Sequence, residues 1–156
     1  MKRATCATDD FPAGIALNQD QAVLGTTHLA ETILPLHILV VDDEPLIRWS
    51  VAESLSDLGC DVEQAPDAAG ALRTVTTTDR AFEVVVLDLR LPDMDDLSLL
   101  GTLRQVLPAA TLILMTAFGT PEIVAGAAGL GAVVIDKPFE LSELRTLVLA
   151  AGSQPL

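Results

Sequence analysis

Four short apolar runs, spaced along the chain from residue 37 onward, constrain the fold more than any other feature of the sequence. They read HILVVDD, FEVVVLD, TLILMT and AVVID, and each is rich in Val, Ile or Leu. Runs of this length and composition are typical of strands that are buried on both faces of a parallel sheet. A fifth, alternating run, CDVEQA, suits an outer strand of the same sheet.

Helical segments are predicted between these runs, because each shows a start signal or an apolar stripe at helical spacing. The five predicted helices begin at Pro45, after a cap at Asp67, near Asp96, at Thr120-Pro121 and at Leu141. The first, second, third and fifth of them end near Gly59, Thr78, Leu107 and Ala151. Strands and helices therefore alternate, which predicts a doubly wound α/β domain. We expect this domain to cover residues 37–152, followed by a short tail at 153–156.

Residues 1–36 differ from the rest, since they show neither the strand period nor the helix period over any length. We predict a poorly ordered N-terminal extension there, with one short helix at about 20–32 as a further expectation. Whether this extension has a function is left open.

The composition excludes several classes of function. The 156 residues include 9 basic and 22 acidic side chains, a net charge of -13, and so acidic a surface repels phosphate backbones and anionic lipids. Binding of nucleic acid or of a membrane by this chain is therefore not expected, and the longest apolar stretch, residues 34–41, is too short to span a bilayer. Cys6 and Cys60 have no metal or redox spacing. We expect a cytoplasmic protein.

Polar side chains stand where the predicted strands end. The first strand ends in Asp42 and Asp43, the third in Asp88 and the fourth in Thr116, and Lys137 follows the fifth. In an open parallel sheet, ligands bind at the edge where the carboxyl ends of the strands meet. Three carboxylates, a hydroxyl and an ammonium are therefore expected to form one site. Taken alone, Asp42 and Asp43 would equally suit a cap of the first helix.

The residue types at this edge indicate its chemistry. Oxygen ligands without His or Cys favour a hard divalent cation, and Mg²⁺ suits a few carboxylates with retained waters. An Asp beside Mg²⁺ can also act as a nucleophile toward phosphorus. Lys137, one of only two lysines in the chain, is a compact point charge that can pair with a phosphoryl oxygen. The hydroxyl of Thr116 can donate to another.

Four motifs carry a family resemblance. ILVVDDEPLIRWS, VVVLDLRLPDMDDLSLL, LMTAFG and DKPF, in this order and spacing, resemble the receiver domain of two-component response regulators. The first motif looks most like receivers of the nitrogen-regulator type, and the resemblance covers about residues 37–152. It implies a flavodoxin-like fold, with a five-stranded parallel sheet and five helices in three α/β/α layers. It also implies phosphoryl transfer from a sensor histidine kinase or a histidine phosphotransfer protein.

The resemblance also implies roles for the residues at the strand ends. Asp88 would be the phosphoacceptor. Mg²⁺ would be bound directly by Asp43, by Asp88 and by the backbone carbonyl of Arg90, while Asp42 would act on the metal through water. Thr116 and Lys137 would bind the phosphoryl group and relay its presence.

Other positions of the family pattern are changed or variable in this chain. Val134 stands where receivers commonly have an aromatic switch residue, and Asp96 replaces a usual Gly. The segment after Gly131-Ala132 is also one residue shorter than usual. Arg90 and Phe118 occupy the two variable positions that flank the path of a hydrolytic water, so we expect them to tune the lifetime of the phosphorylated state.

Two features outside the strand ends have both a functional and an ordinary interpretation. Trp49, the only tryptophan, projects away from the buried stripe of its helix. It is either a partly exposed ring on neighbouring side chains or a docking contact, since the first helix of receivers faces the phosphodonor. Asp93, Asp95 and Asp96 resemble a second acidic cluster, but a solvated loop is the preferred interpretation.

Three functions are candidates for a chain with these residues. The preferred one is a phosphorylated receiver that works without an output domain and signals through an unknown downstream protein. Such a receiver is not an enzyme acting on a separate substrate, and it could form a phosphorylation-dependent dimer. The second is a receiver-like interaction module that is never phosphorylated. The third, a phosphohydrolase of the haloacid-dehalogenase type, needs an Asp two residues after the nucleophile, and Arg90 stands there. No glycine-rich nucleotide-binding motif occurs.

Overall fold

The computed structural model describes residues 34–153. The predicted helix at 20–32, most of the predicted extension and most of the predicted tail lie outside the described residues. Five strands and five helices alternate along the rest of the chain. They are β1 His37–Val41, α1 Pro45–Ser56, β2 Asp61–Ala65, α2 Ala68–Thr77, β3 Val84–Asp88, α3 Ser98–Val106, β4 Thr111–Thr116, α4 Pro121–Gly129, β5 Ala132–Asp136 and α5 Leu141–Gly152.

The element boundaries differ little from those expected from the sequence. Helix α1 ends at Ser56, before the predicted stop at Gly59, which adopts a left-handed conformation with φ 87°. Helix α3 begins at Ser98 rather than at Asp96, and the Asp96 carboxylate accepts a hydrogen bond from the backbone N–H of Ser98. Asp96 therefore precedes the N-cap residue Leu97, and its side chain binds the first N–H group of the helix.

All five strands are parallel and lie in the order β2-β1-β3-β4-β5. This is the predicted doubly wound, flavodoxin-like sheet, with β2 as an outer strand. The register aligns the carboxyl ends of the strands, since Val41 lies opposite Leu87 and Thr116 lies opposite Asp136. The residues that follow these ends are therefore brought to one edge.

Two apolar layers cover the two faces of the sheet. On one face, Val51 and Leu55 of α1 pack with residues of α5 against alternate strand positions. On the other face, α2, α3 and α4 pack against the remaining positions, with Leu99 and Leu103 fully or almost fully buried. Burial of each such side chain stabilises the fold by about 1.5–3 kcal/mol. Among residues 34–153, no helix is long and apolar enough to cross a membrane.

Candidate functional site

Three carboxylates converge at the carboxyl edge of the sheet. Asp42 follows β1, Asp88 ends the neighbouring strand β3, and Asp43 points into the same space; one oxygen of each lies within 4.8 Å of the others. Asp42 is fully buried and Asp88 is 7% exposed, whereas Asp43 is open to solvent. Carboxylates held this close repel one another, so the cluster favours a cation.

Lys137 is the cation that the chain itself supplies to this cluster. Its Nζ atom lies 3.0 Å from Oδ2 of Asp42 and 3.3 Å from Oδ2 of Asp88. The backbone N–H of Lys137 donates to the carbonyl of Thr116, which fixes the start of the loop after β5. The bond between Lys137 and Pro138 is cis. Strands β1, β3, β4 and β5 thus all contribute to one site.

Burial and charge act together on the ionisable groups of this site. Burial raises the pKa of Asp88, and the neighbouring charge of Asp42 raises it further, although Lys137 acts in the opposite direction. Burial by itself would lower the pKa of Lys137, but its contacts with Asp42 and Asp88 outweigh burial, and the net pKa is raised. Among residues 34–153, the Lys137 ammonium is the one cationic group within 4.0 Å of these three carboxylates, so the cluster carries more negative than positive charge.

The loop between β1 and α1 is held by two hydrogen bonds of Asp42. Its Oδ1 accepts from the backbone N–H of Glu44 at 2.9 Å, and its carbonyl accepts from Nη1 of Arg48 at 2.7 Å. The N-cap residue of α1 is Glu44, and its N–H group is bound by Asp42. Asp42 thus has part of the capping role that the sequence suggested for Asp42 and Asp43. Sequence reasoning missed Arg48, for which the only signal is an arginine five residues after Asp43.

Thr116, Arg90 and Phe118 line a cleft of about 240 Å³ above the carboxylates. The Thr116 side chain is 1% exposed, and its Oγ1 accepts a hydrogen bond of 3.0 Å from the backbone N–H of Phe118. The guanidinium carbon of Arg90 lies 4.0 Å from the centre of the Phe118 ring. The cleft is lined by Asp43, Glu44, Asp88, Arg90, Thr116, Ala117, Phe118 and Lys137.

Val134 and Trp49, two further predicted residues, do not line this cleft. Val134 is half-buried in β5 and packs against the core under α2, α3 and α4. Trp49 is 56% exposed on α1, as its position on the helix predicts. The acidic loop is exposed as expected, but it is not merely solvated, because Asp93 accepts hydrogen bonds from the backbone N–H groups of Ala68 and Ala69.

The geometry agrees with the family comparison. Residues 38–149 match the response regulator receiver domain. The chain belongs to this family. Its fold and its converging strand ends are those of a receiver, and the resemblance noted in the motifs is confirmed.

Similar proteins span several regulator types. This receiver is 35% identical over 123 residues to the probable transcriptional regulatory protein TcrX of Mycobacterium tuberculosis, covering 76% of this chain and 52% of that protein. It is 32% identical over 112 residues to sporulation initiation phosphotransferase F of Bacillus subtilis, covering 71% and 89%. The crystal structure of NtrX from Brucella abortus shares 35% identity and a TM-score of 0.65, covering 76% of this chain and 26% of that one.

The chain spans half or less of several of the curated regulators that it matches. The shared part is therefore the receiver. The similarity to NtrX agrees with the resemblance of the first motif to receivers of the nitrogen-regulator type.

Receiver domains generally bind Mg²⁺ at an acidic pocket, and the residues of this site fit that ion. Carboxylate oxygens are the ligands that Mg²⁺ prefers, and two oxygens on opposite sides of it lie about 4.2 Å apart. The oxygens of Asp42, Asp43 and Asp88 already lie within 4.8 Å of one another. A small adjustment, or a water on Asp42, would bring the set into range.

Proposed function

We propose that this receiver accepts a phosphoryl group on Asp88 from the phosphohistidine of a histidine kinase or phosphotransfer protein. The observation that carries the proposal is the convergence of three carboxylates with Lys137 beneath a cleft that opens to solvent. An oxygen of Asp88 forms a bond to phosphorus as the phosphorus–nitrogen bond of the donor breaks. The electron pair of that bond returns to the donor imidazole.

The chain's own residues would bind and orient the transferred group. Asp43, Asp88 and the backbone carbonyl of Arg90 would hold Mg²⁺, with Asp42 acting through water, and the ion would neutralise charge on the phosphoryl oxygens. Lys137 already lies between two carboxylates, so its ammonium is well placed to pair with one phosphoryl oxygen. The domain would in this way promote its own phosphorylation and dephosphorylation, without a separate substrate.

Thr116 would couple phosphorylation to a change of surface. Its hydroxyl accepts from the Phe118 N–H and keeps its own proton free to donate to a phosphoryl oxygen. The adjoining helix α4 is weakly held, since it contains Gly126 and Gly129 and buries only Ala127. A shift at Thr116 would therefore be able to move α4, because this helix is weakly held. With half-buried Val134 in place of an aromatic, we expect a modest response.

The donor would dock beside this site on α1 and the loop after β5. An apolar groove of about 460 Å³ runs from α1 to Lys137, lined by side chains that include Leu46, Ile47 and Phe139. Leu46 is 73% exposed and Trp49 is 56% exposed on the same helix. Exposed aromatic and aliphatic side chains of this kind anchor protein interfaces. We expect a donor that reaches Asp88 to contact this surface.

Signalling would then proceed through a downstream protein, and the acidic surface disfavours direct contact with nucleic acid or membrane. The similarity to a Bacillus subtilis phosphotransferase supports phosphoryl transfer as the chemistry of this receiver. A cytoplasmic location and a phosphorylation-dependent dimer stay predictions.

The decisive experiment is labelling by acetyl phosphate. In the presence of Mg²⁺, the wild-type protein should gain a single phosphoryl group of about 80 Da, seen by intact mass. Asp88→Asn should remain unlabelled, and EDTA should prevent labelling of the wild type. Asp79→Asn, an equal loss of charge at an exposed residue, is the control. Undiminished labelling of Asp88→Asn would refute the assignment, and an unlabelled wild type would favour an interaction module.

A further inference from the structure

Asp93 joins the loop after β3 to the first turn of α2. Its Oδ1 accepts a hydrogen bond from the Ala68 N–H and its Oδ2 accepts one from the Ala69 N–H, both at 2.9 Å. These bonds cross 25 and 24 residues of sequence. The carboxylate is therefore a bridge between two elements and not a local turn of its own loop.

Helix α2 depends on this carboxylate for half of its unpaired donors. The first four N–H groups of a helix have no partner within the helix. Counted from the N-cap Asp67, these are the N–H groups of residues 67–70, and the Asp67 side chain binds that of Gly70. Asp93 binds those of Ala68 and Ala69, and the Asp67 carbonyl accepts the first regular helical bond, from Ala71. The hydrogen bonds to Ala68 and Ala69 lower the pKa of Asp93, so the side chain stays an ionised acceptor.

The loop that Asp93 fastens begins at the phosphorylation site. The Arg90 N–H donates to Oδ1 of Asp88 at 3.3 Å, and Leu91 and Met94 exchange two backbone hydrogen bonds of 2.9 and 3.2 Å. Residues 90–94 thus form a tight turn with Asp93 at its tip. Apart from the bond of Arg90 to Asp88 at the end of β3, the hydrogen bonds of this turn to other described residues stay within the segment, so the Asp93 bridge is its polar tie to α2.

We propose that Asp93 is a positioning residue of the phosphorylation site. By binding the start of α2, it holds the turn at 90–94, and with it the backbone carbonyl of Arg90, in the place that the metal site requires. The inference rests on the proposed function, in which that carbonyl is a ligand of Mg²⁺. Groups that orient metal ligands from outside typically change metal affinity by about 10–100-fold when removed.

The test compares Asp93→Ala and Asp93→Asn with Asp95→Ala and Asp95→Asn. Asp95 is exposed in the same loop, has no hydrogen bond or ion pair among residues 34–153, and carries the same charge. We expect Asp93→Ala to weaken Mg²⁺ binding, measured by calorimetry, by about tenfold. Asp93→Asn keeps one acceptor oxygen, so its Mg²⁺ affinity should fall between those of the wild type and of Asp93→Ala. The Mg²⁺ affinities of the Asp95 variants should stay within about twofold of the wild-type value, because exposed charges are screened.

Amide hydrogen exchange in the metal-free protein gives a second readout. Exchange at residues 89–94 should accelerate in the Asp93 variants but not in the Asp95 variants. Unchanged Mg²⁺ affinity and unchanged exchange at 89–94, with only a lower melting temperature, would overturn the inference, since Asp93 would then merely stabilise α2. Failure of the wild type to bind Mg²⁺ would instead count against the proposed function. If Asp93→Ala does not fold, Asp93→Asn decides.

Discussion

The two edges of the sheet differ in how far their charged side chains are paired with groups of opposite charge or with hydrogen-bond partners. At the amino edge, Arg104 of α3 donates to four backbone carbonyls, those of Pro108, Ala110, Leu130 and Gly131, at 2.8–3.3 Å. At the carboxyl edge, one ammonium, that of Lys137, faces three carboxylates. The first arrangement satisfies carbonyls at the starts of β4 and β5. The second leaves an excess of negative charge that an added cation can neutralise.

His37, at the start of β1, is a second polar residue of the amino edge whose groups have partners. Its ring is 3% exposed, stacks on Phe82 with 4.1 Å between ring centres, and places Nε2 2.9 Å from a carboxylate oxygen of Glu63. Its backbone N–H donates to Glu83. Buried polar groups with partners add to stability, whereas groups left short of partners reduce it. The amino edge therefore stabilises the fold, and the carboxyl edge gives up stability for function.

The largest expected effect tests the amino edge. Arg104→Met keeps the aliphatic stem but removes the donor of four hydrogen bonds, so the free energy of unfolding should fall by about 3 kcal/mol in urea denaturation. Arg73→Met is the control, because Arg73 is exposed on α2 and has no side-chain partner among residues 34–153; its effect should stay within about 0.5 kcal/mol. Equal losses in both variants would contradict this account of the amino edge.

A second prediction tests the surface next to the carboxyl edge. Trp49→Ala removes an exposed anchor on α1 and should slow phosphoryl transfer from the kinase by about thirtyfold, equivalent to about 2 kcal/mol. Labelling by acetyl phosphate should hardly change, because Trp49 does not line the cleft above Asp88. Val106→Ala, an exposed apolar residue of α3, is the control. Equal slowing with both donors would assign Trp49 to the fold or the site.

A third prediction concerns the missing positive charge. Mg²⁺ at about ten times its dissociation constant should raise the free energy of unfolding by about 1.4 kcal/mol, and EDTA should remove the gain. Asp43→Asn should lose most of this response, whereas Asp79→Asn, which removes an exposed charge elsewhere, should keep it. Thermal unfolding with and without Mg²⁺ measures both. A full response in Asp43→Asn would show that the ion binds outside the three carboxylates.

Sequence reasoning recovers one kind of information about these edges and misses another. The apolar runs predict the strands, and the parallel sheet then brings Asp42, Asp88 and Lys137 together, because strand ends need no side-chain detail to be located. The partners of Arg104 and Asp93 were not predicted. Those contacts join residues of different elements, and they depend on rotamers and helix positions that no local period encodes.

The smallest expected effect concerns the cover of the carboxyl edge. Arg90 and Phe118 were each expected to tune hydrolysis, but their stacking is visible only in the structure. Phe118 has no polar atom and Arg90 offers only donors, so neither can accept a proton from an attacking water. Together they cover one side of the cleft above Asp88. The phosphorylated state should therefore decay over many minutes to hours.

Breaking the stack should shorten that lifetime modestly and in a coupled way. A cation–π contact at an exposed site contributes about 0.5–1 kcal/mol, so Arg90→Met and Phe118→Leu should each speed loss of label by about two- to fivefold. The double variant should be no faster than either single one, because both changes open the same cover. Phe118→Glu adds an acceptor that can orient water and should decay faster still. Additive effects, or a wild-type lifetime of seconds, would show that the two side chains do not act as one cover and would leave the carboxyl edge open to water.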